Sequence, residues 1–277
     1  MTTRTVTRTA TNLPTVPTTT TTTTLNPNTA TTAAEAPIVT DGSSAPAALP
    51  LSIGDTALLR LLQLCSPALP VGAFAYSQGL EPAVVAGWVR DEETAAAWIG
   101  GLLRGSLATL DLPALVRLHA AWRTGDACTG TVDDWTAFLS ACRPSAELQA
   151  EDRHLGGNLA RVLAGLGLSE AAAWMARADV TYAAMFALAA ARWEVPLGAA
   201  LSGYAFVWCE TQVSAAVRLV PLGQSAGQRV LSSLAAAIPA VVAQAITVTD
   251  DDMGAAAPSL AIASALHETQ YSRLFRS

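Results

Sequence analysis

The chain has 277 residues, 16 basic and 22 acidic, giving a formal net charge of −6; 51% of it is hydrophobic and 14% charged. That length suits one or two domains with a substantial core, and the acidic balance excludes a dedicated nucleic-acid binder, which needs a basic patch to neutralise phosphates. All 16 basic residues are Arg, and a chain without Lys has no Walker P-loop, Schiff-base lysine or Ser–Lys pair.

A Lys-free, Ala-rich composition reads as coding bias, so one Arg alone is no sign that a guanidinium was required. The cysteines, Cys65, Cys128, Cys142 and Cys209, and the histidines, His119, His154 and His267, form no C-x-x-C or H-x-x-x-H pair. No structural zinc site and no bound cofactor are expected. Scattered thiols in a chain this long fit a reduced, cytoplasmic protein better than a disulfide scaffold.

Residues 1–50 hold the threonine run Thr18 to Thr24 and six prolines, with few large apolar side chains. Such a Thr/Pro/Ala-rich segment buries too little surface to offset its ordering entropy, so a disordered tail is expected there. It lacks an apolar signal region and the amphipathic periodicity of a transit peptide. Residues 51–277 read as one all-helical domain.

Leu58, Leu61, Leu62 and Cys65 lie at helical spacing until Pro67 stops the run. Asp91 reads as an N-cap, with Glu92 and Glu93 in the first turn of a helix through Trp98 and Leu102. Asp111 is read as the cap of the next helix, whose face is Leu115, Leu118 and Trp122 and whose end is Gly125. Leu148, Leu155, Leu159, Val162 and Leu166 mark an amphipathic helix, with Glu147, Glu151 and His154 assigned to another face. Further helices are predicted over Tyr182–Arg192, Pro196–Leu219, Gln228–Val248 and Ser259–Phe275. No alternating strand pattern competes, so the fold class is all-α and bundle-like. Val230 to Thr249 carries no charge and is long enough to span a membrane. Its Ala, Ser, Gln and Thr content with Pro239 favours a buried core helix instead.

Three segments stand apart from this helical background. In Ser66–Glu81, Pro67 and Pro70 keep the chain out of helix while Gly72 and Gly79 permit unusual backbone angles. Phe74 and Tyr76 are large aromatics in a loop, and the reading there is a loop plugging one end of the bundle, or a shaped surface whose Tyr76 hydroxyl, Ser77 and Glu81 face a partner or a passage. Ser77 lacks the surroundings of a nucleophile. In Val213–Arg229, Pro221 and Gly223 make a corner between two helices, flanked by Arg218, Gln224 and Arg229. A charge such as Arg218 on an apolar helix needs a carbonyl, a carboxylate or a partner. The last segment, Ile262–Ser277, ends on Tyr271, Leu274 and Phe275 at i, i+3 and i+4, with Arg273 and Arg276 on another side. That aromatic–arginine mix is enriched at protein–protein hot spots. His267 beside Glu268, and Glu81 in the first segment, allow at most a weak, transient metal contact. Asp250–Asp252 reads as a solvated loop rather than a calcium site.

Together the sequences SPALPVGAFAYSQGLE, AAVRLVPLGQSAGQR and IASALHETQYSRLFRS closely resemble the urease accessory protein family UreF, from about Leu58 to Ser277. Family members often have Gly where Ala73 stands, Ser at Ala75, Lys at Arg218 and Asn at Gln212. The chain thus has no hydroxyl at position 75 but keeps the charge at 218. The resemblance implies an all-helical, dimeric, non-enzymatic protein. It would bridge UreD (UreH in some organisms) and the GTPase UreG, and gate GTP-dependent nickel delivery to apo-urease. By that resemblance Tyr271, Arg273, Leu274, Phe275 and Arg276 dock into UreD, and Gly72, Phe74, Tyr76, Ser77 and Glu81 line a functional surface or passage. Two further expectations follow. A metal in transit meets oxygen donors rather than an imidazole–thiolate cage, and in a rival reading Arg218 or Arg229 acts on GTP as an arginine finger.

Overall fold

The computed structural model describes residues 53–124 and 129–277. The tail expected over residues 1–50, Gly125 and Cys128 lie outside them. Every regular element among the described residues is helical. In chain order they are α1 (Asp55–Leu64), α2 (Leu80–Val85), α3 (Glu92–Leu102), α4 (Leu112–Arg123), α5 (Thr129–Ala141), α6 (Ala146–Gly165), α7 (Tyr182–Arg192), α8 (Leu197–Leu219), α9 (Gln224–Thr247) and α10 (Pro258–Glu268).

The bundle is built round α7. Its sequence YAAMFALAAAR is apolar on all sides, and Ala183 through Ala190 are all buried; a helix of that kind has to sit at the centre. It packs against α4 and α6, while α8 and α9 run against each other as the longest pair. The small residues of α7 let its neighbours approach closely, and Phe186 fills the space beside Tyr182 and Tyr204.

Asp91 caps α3 as expected. Its side chain accepts from Thr94 N at 2.9 Å, and Thr94 Oγ1 accepts from Asp91 N, closing a reciprocal box. Asp111 does not cap α4. The chain passes from α3 to α4 without a break, through wide π turns over Leu103–Asp111, a geometry that shifts helical register. Two carbonyls of that stretch are satisfied from outside. Ala256 N donates to Gly105 O at 2.6 Å and Gly254 N to Thr109 O at 3.0 Å. The shift leaves Asp111 buried and aimed at Arg143, which it meets at 2.7 Å.

Two helical stretches are long and apolar enough to cross a membrane, Glu92–Arg123 and Gln224–Thr247. The first is 72% buried over its most apolar window and is a core helix. The second is 39% buried, because α9 turns only one side inward and leaves Ser232, Ser233, Ala236 and Ala240 outside. The α1 face also differs from the sequence reading. Leu64 is buried and Leu61 partly so, but Leu58, Leu59 and Leu62 remain exposed.

Candidate partner-binding site

The proline-bounded loop and the end of the chain form one unit. Gly72 (φ +86°) and Gly79 (φ +76°) adopt left-handed backbone angles, which cost a side chain energy that glycine avoids. A Cβ on Gly79 would also come within 3.0 Å of the Ala263 Cβ on α10. Between them the chain makes one 3₁₀ turn, Ala73–Ala75, which throws Phe74 outward at 74% exposure.

The residues after that turn point inward. Tyr76, Ser77 and Glu81 are buried, and of the motif's large side chains Phe74 is the one left exposed. Tyr76 reaches His154 Nδ1 at 3.1 Å, and burial raises its phenol above the ordinary value. Ser77 and Glu81 hold the last residues of the chain. Ser77 N and Oγ both donate to the main-chain oxygen of Ser277, at 3.1 and 2.6 Å, and Arg276 N donates to Ala75 O at 2.9 Å. The Glu81 carboxylate accepts from Leu274 N at 2.7 Å, from Phe275 N at 2.9 Å and from Gln270 Nε2 at 3.1 Å.

That grip ends α10 at Glu268 rather than at Phe275. A helix would have bonded the amides of 274 and 275 to carbonyls four residues back; here a carboxylate takes them instead. The apolar stripe expected from i, i+3, i+4 spacing is therefore split. Phe275 is buried, while Tyr271 and Leu274 are exposed. Arg218 seals the junction, with Nη1 donating to Phe74 O at 2.8 Å and its guanidinium 4.4 Å from the centre of the Phe275 ring. Arg273 donates to Glu147 Oε1 at 2.6 Å and to the carbonyls of Glu268 and Gln270.

His267 is fully buried between two carboxylates, with Nδ1 bonded to Glu147 and Nε2 3.7 Å from Glu81. Glu268 is exposed and separate from that pair. Among the described residues no group of three or more His, Cys, Asp or Glu is placed to hold a metal.

The comparisons with known proteins point one way. A family model described as UreF matches residues 89–235. The urease accessory protein UreF of Alkalilimnicola ehrlichii is 51% identical over 218 residues, 79% of this chain and 95% of that protein. Its counterpart in Pseudomonas putida KT2440 is 49% identical over 223 residues, covering 80% and 99% of the two chains. The chain belongs to the UreF family.

Within this UreF chain the α8–α9 corner is exposed at Pro221, Gly223, Gln224 and Ser225, while the arginines that flank it are engaged by internal contacts. Gln224 begins α9 and is exposed, but Arg229 makes two bonds to Glu92, at 2.6 and 2.9 Å. With Arg218 on Phe74, both candidate arginine fingers are held by their own chain.

Sequence reasoning missed the charged centre of the UreF bundle. Glu147, Glu151 and His154 lie at i, i+4 and i+7 on one face of α6, but 148, 151 and 155 lie at i, i+3 and i+7 as well, so that face adjoins the leucine stripe and Glu151 stands at its edge. That spacing was the available signal. Glu151 and its neighbour Asp152 are buried. Arg143 lies between Asp152 (2.8 Å) and Asp111 (2.7 Å), and Asp152 also accepts from Tyr182 N at 2.8 Å, fixing the start of α7. Glu151 accepts from Gln78 Nε2 and Ser277 Oγ, each at 2.6 Å. Burial, with the Asp152 charge adding to it, pushes the Glu151 carboxyl up to about 7 against those hydrogen bonds and Arg143. These groups line a cavity of about 270 Å³ with Tyr182, Tyr204 and Gln212. The Gln212 Oε1 is buried without a donor.

Proposed function

We propose that this chain is a urease maturation factor that works as a helical adaptor, without bond-making chemistry of its own. Its relatives carry the name urease accessory protein. The observation that carries the adaptor reading is the Glu81–Ser77 grip on the C-terminal segment. That grip buries Phe275 and sets Tyr271 and Leu274 outward, and Ile262 and Leu266 of the preceding α10 are exposed as well. Exposed apolar side chains rimmed by Arg273 and Arg276 are the composition of a protein-docking surface. UreD (UreH) is the partner proposed for it. Phe74, held in place through Arg218, extends the surface towards the α8–α9 corner, where UreG is proposed to dock. The assembly would then gate GTP-dependent nickel delivery to apo-urease.

The unpartnered α1 face, Leu58, Leu59 and Leu62, supports the homodimer reading; a Leu59→Glu chain that sediments as a dimer would remove it. Replacing Tyr271 by Ala and Leu274 by Asp together should abolish co-purification with UreD and lower urease activation in cells, with the unfolding midpoint unchanged. Undiminished UreD binding by that double variant overturns the adaptor reading. Nickel is cargo in this scheme, passed on rather than kept. Calorimetry on the isolated chain should show only weak binding, and a tight stoichiometric site would contradict the conduit view.

A further inference from the structure

Three separate parts of the molecule meet at Glu151. From α6 its carboxylate accepts from Gln78 of the proline-bounded loop and from the Ser277 hydroxyl of the C-terminal segment. Gln78 in turn accepts from Trp208 Nε1 of α8 at 2.7 Å and has a left-handed backbone (φ +50°) that only tertiary contacts hold in a non-glycine residue. Glu151 and Ser277 are 3% and 1% exposed.

The charged surroundings do not neutralise it. On its own helix the neighbour is Asp152, a like charge. Arg143, from the α5–α6 link, is committed to Asp152 and Asp111. On the loop side is the Tyr76 phenol, paired with His154, and on the tail side Arg276, which acts on that same phenol. From α8 come the Tyr204 phenol and the neutral Trp208 indole.

Docking the tail gives the carboxylate one hydroxyl, a bond that taken alone favours the ionised form, but it also adds to the burial that disfavours that form and outweighs the bond. One hydroxyl does not replace the several hydrogen bonds that water makes to an ionised carboxylate. The neutral acid is fully satisfied in the same site, since Oε1 still accepts from Gln78 and the acid O–H donates to Ser277 Oγ. We propose that Glu151 is a proton-operated latch for the C-terminal segment, which docks when the carboxyl is neutral and is released when it ionises. The pKa of about 7 places that exchange within the range of a cell's interior. The latch regulates the surface assigned above to UreD, so its biological meaning rests on that reading. Its test involves no partner, and each can fail without the other.

The test is hydrogen exchange of the C-terminal peptide in the full chain from pH 6 to 8, corrected for the intrinsic pH dependence of exchange. Protection in the wild type should fall about tenfold as a carboxyl that titrates at about 7 when docked, and nearer its ordinary value when free, ionises. In Glu151→Gln, which carries no titrating proton, protection should stay level across that range. Protection that does not change with pH in the wild type, or that falls equally in the variant, overturns the latch. If the variant does not fold, the ¹³C titration of the Glu151 carboxyl in the wild-type chain decides. Its midpoint must coincide with that of the exchange transition, and separate midpoints overturn the proposal.

Discussion

Two of the places where this chain buries charge are built differently. At Arg143 one guanidinium is shared by Asp111 and Asp152, side chains from three stretches of sequence that meet at 2.7 and 2.8 Å and pair only with core groups. At the loop–tail junction, Glu81 and Glu151 pair with no arginine, though His267 Nε2 lies 3.7 Å from Glu81, and are satisfied by two amides, two carboxamides and a hydroxyl. The first arrangement is costly to open, since separating its members strands a charge in low dielectric. The second exchanges protein donors for water donors when it opens, which is close to balanced. Charge paired with charge fixes the bundle; charge paired with backbone holds a segment that can leave.

The largest expected effect breaks the first arrangement. Arg143→Ala leaves two buried carboxylates unpaired and should cost roughly 3–5 kcal/mol, read as a fall in the urea midpoint or as loss of cooperative unfolding. A variant that unfolds like the wild type would show that water reaches this centre and that the comparison is false. Next comes the pH dependence of stability. The Glu151 pKa is raised by folding, from its ordinary 4.5 to about 7. The folded state therefore holds the proton more tightly, so the stabilisation is complete below about 4.5 and is lost as pH rises through 7. Its full span is at most about 3–4 kcal/mol, and Glu151→Gln should flatten the curve between pH 5 and 8. A flat wild-type curve would mean the carboxyl is solvated.

Local rules carried much of the fold. Asp91 announced the start of α3, and the Ala-rich run Tyr182–Arg192 marked the central helix to the residue. What escaped was decided by distant contacts. Asp111 has the chemistry of a cap, but the Leu103–Asp111 π turns, fed by donors from Gly254 and Ala256, rotate it towards Arg143. The tail has helical spacing, yet the Glu81 carboxylate, 193 residues earlier in the chain than Leu274, takes its amides. The motif residues were legible as a set, whereas their inward direction was not. A string of letters does not show that Ser77 and Ser277 meet. Glu151 differs from these, because its place at the edge of the Leu148–Leu155 stripe was countable and was overlooked.

The junction itself gives a smaller effect. Glu81→Ala removes the acceptor of Leu274 N, Phe275 N and Gln270 Nε2, and water takes up the freed donors once the segment opens. The C-terminal peptide should lose exchange protection while peptides from α4 and α7 keep theirs, and UreD binding should weaken in parallel. If α4 and α7 lose protection as well, the junction is part of the core rather than a detachable segment.

The smallest effect is expected at a third kind of charge pairing, the exposed contact of Arg229 with Glu92. Their side chains are 63% and 39% exposed, and the guanidinium contact lowers the Glu92 carboxyl below its ordinary range. Solvent screens such pairs so well that removing one partner leaves stability almost unchanged. Arg229→Ala should accordingly unfold at the wild-type midpoint and leave UreG turnover in the assembled complex untouched. The second readout is the sharper one. An arginine acting on phosphate is worth about 10³–10⁵ in rate, so a fall of that size with stability intact would mean that Arg229 leaves Glu92 to reach the nucleotide. Surface pairing would then rank with the tail junction as a contact made to be exchanged, and the division between fixed and detachable charge would run along solvent exposure instead of along the type of partner.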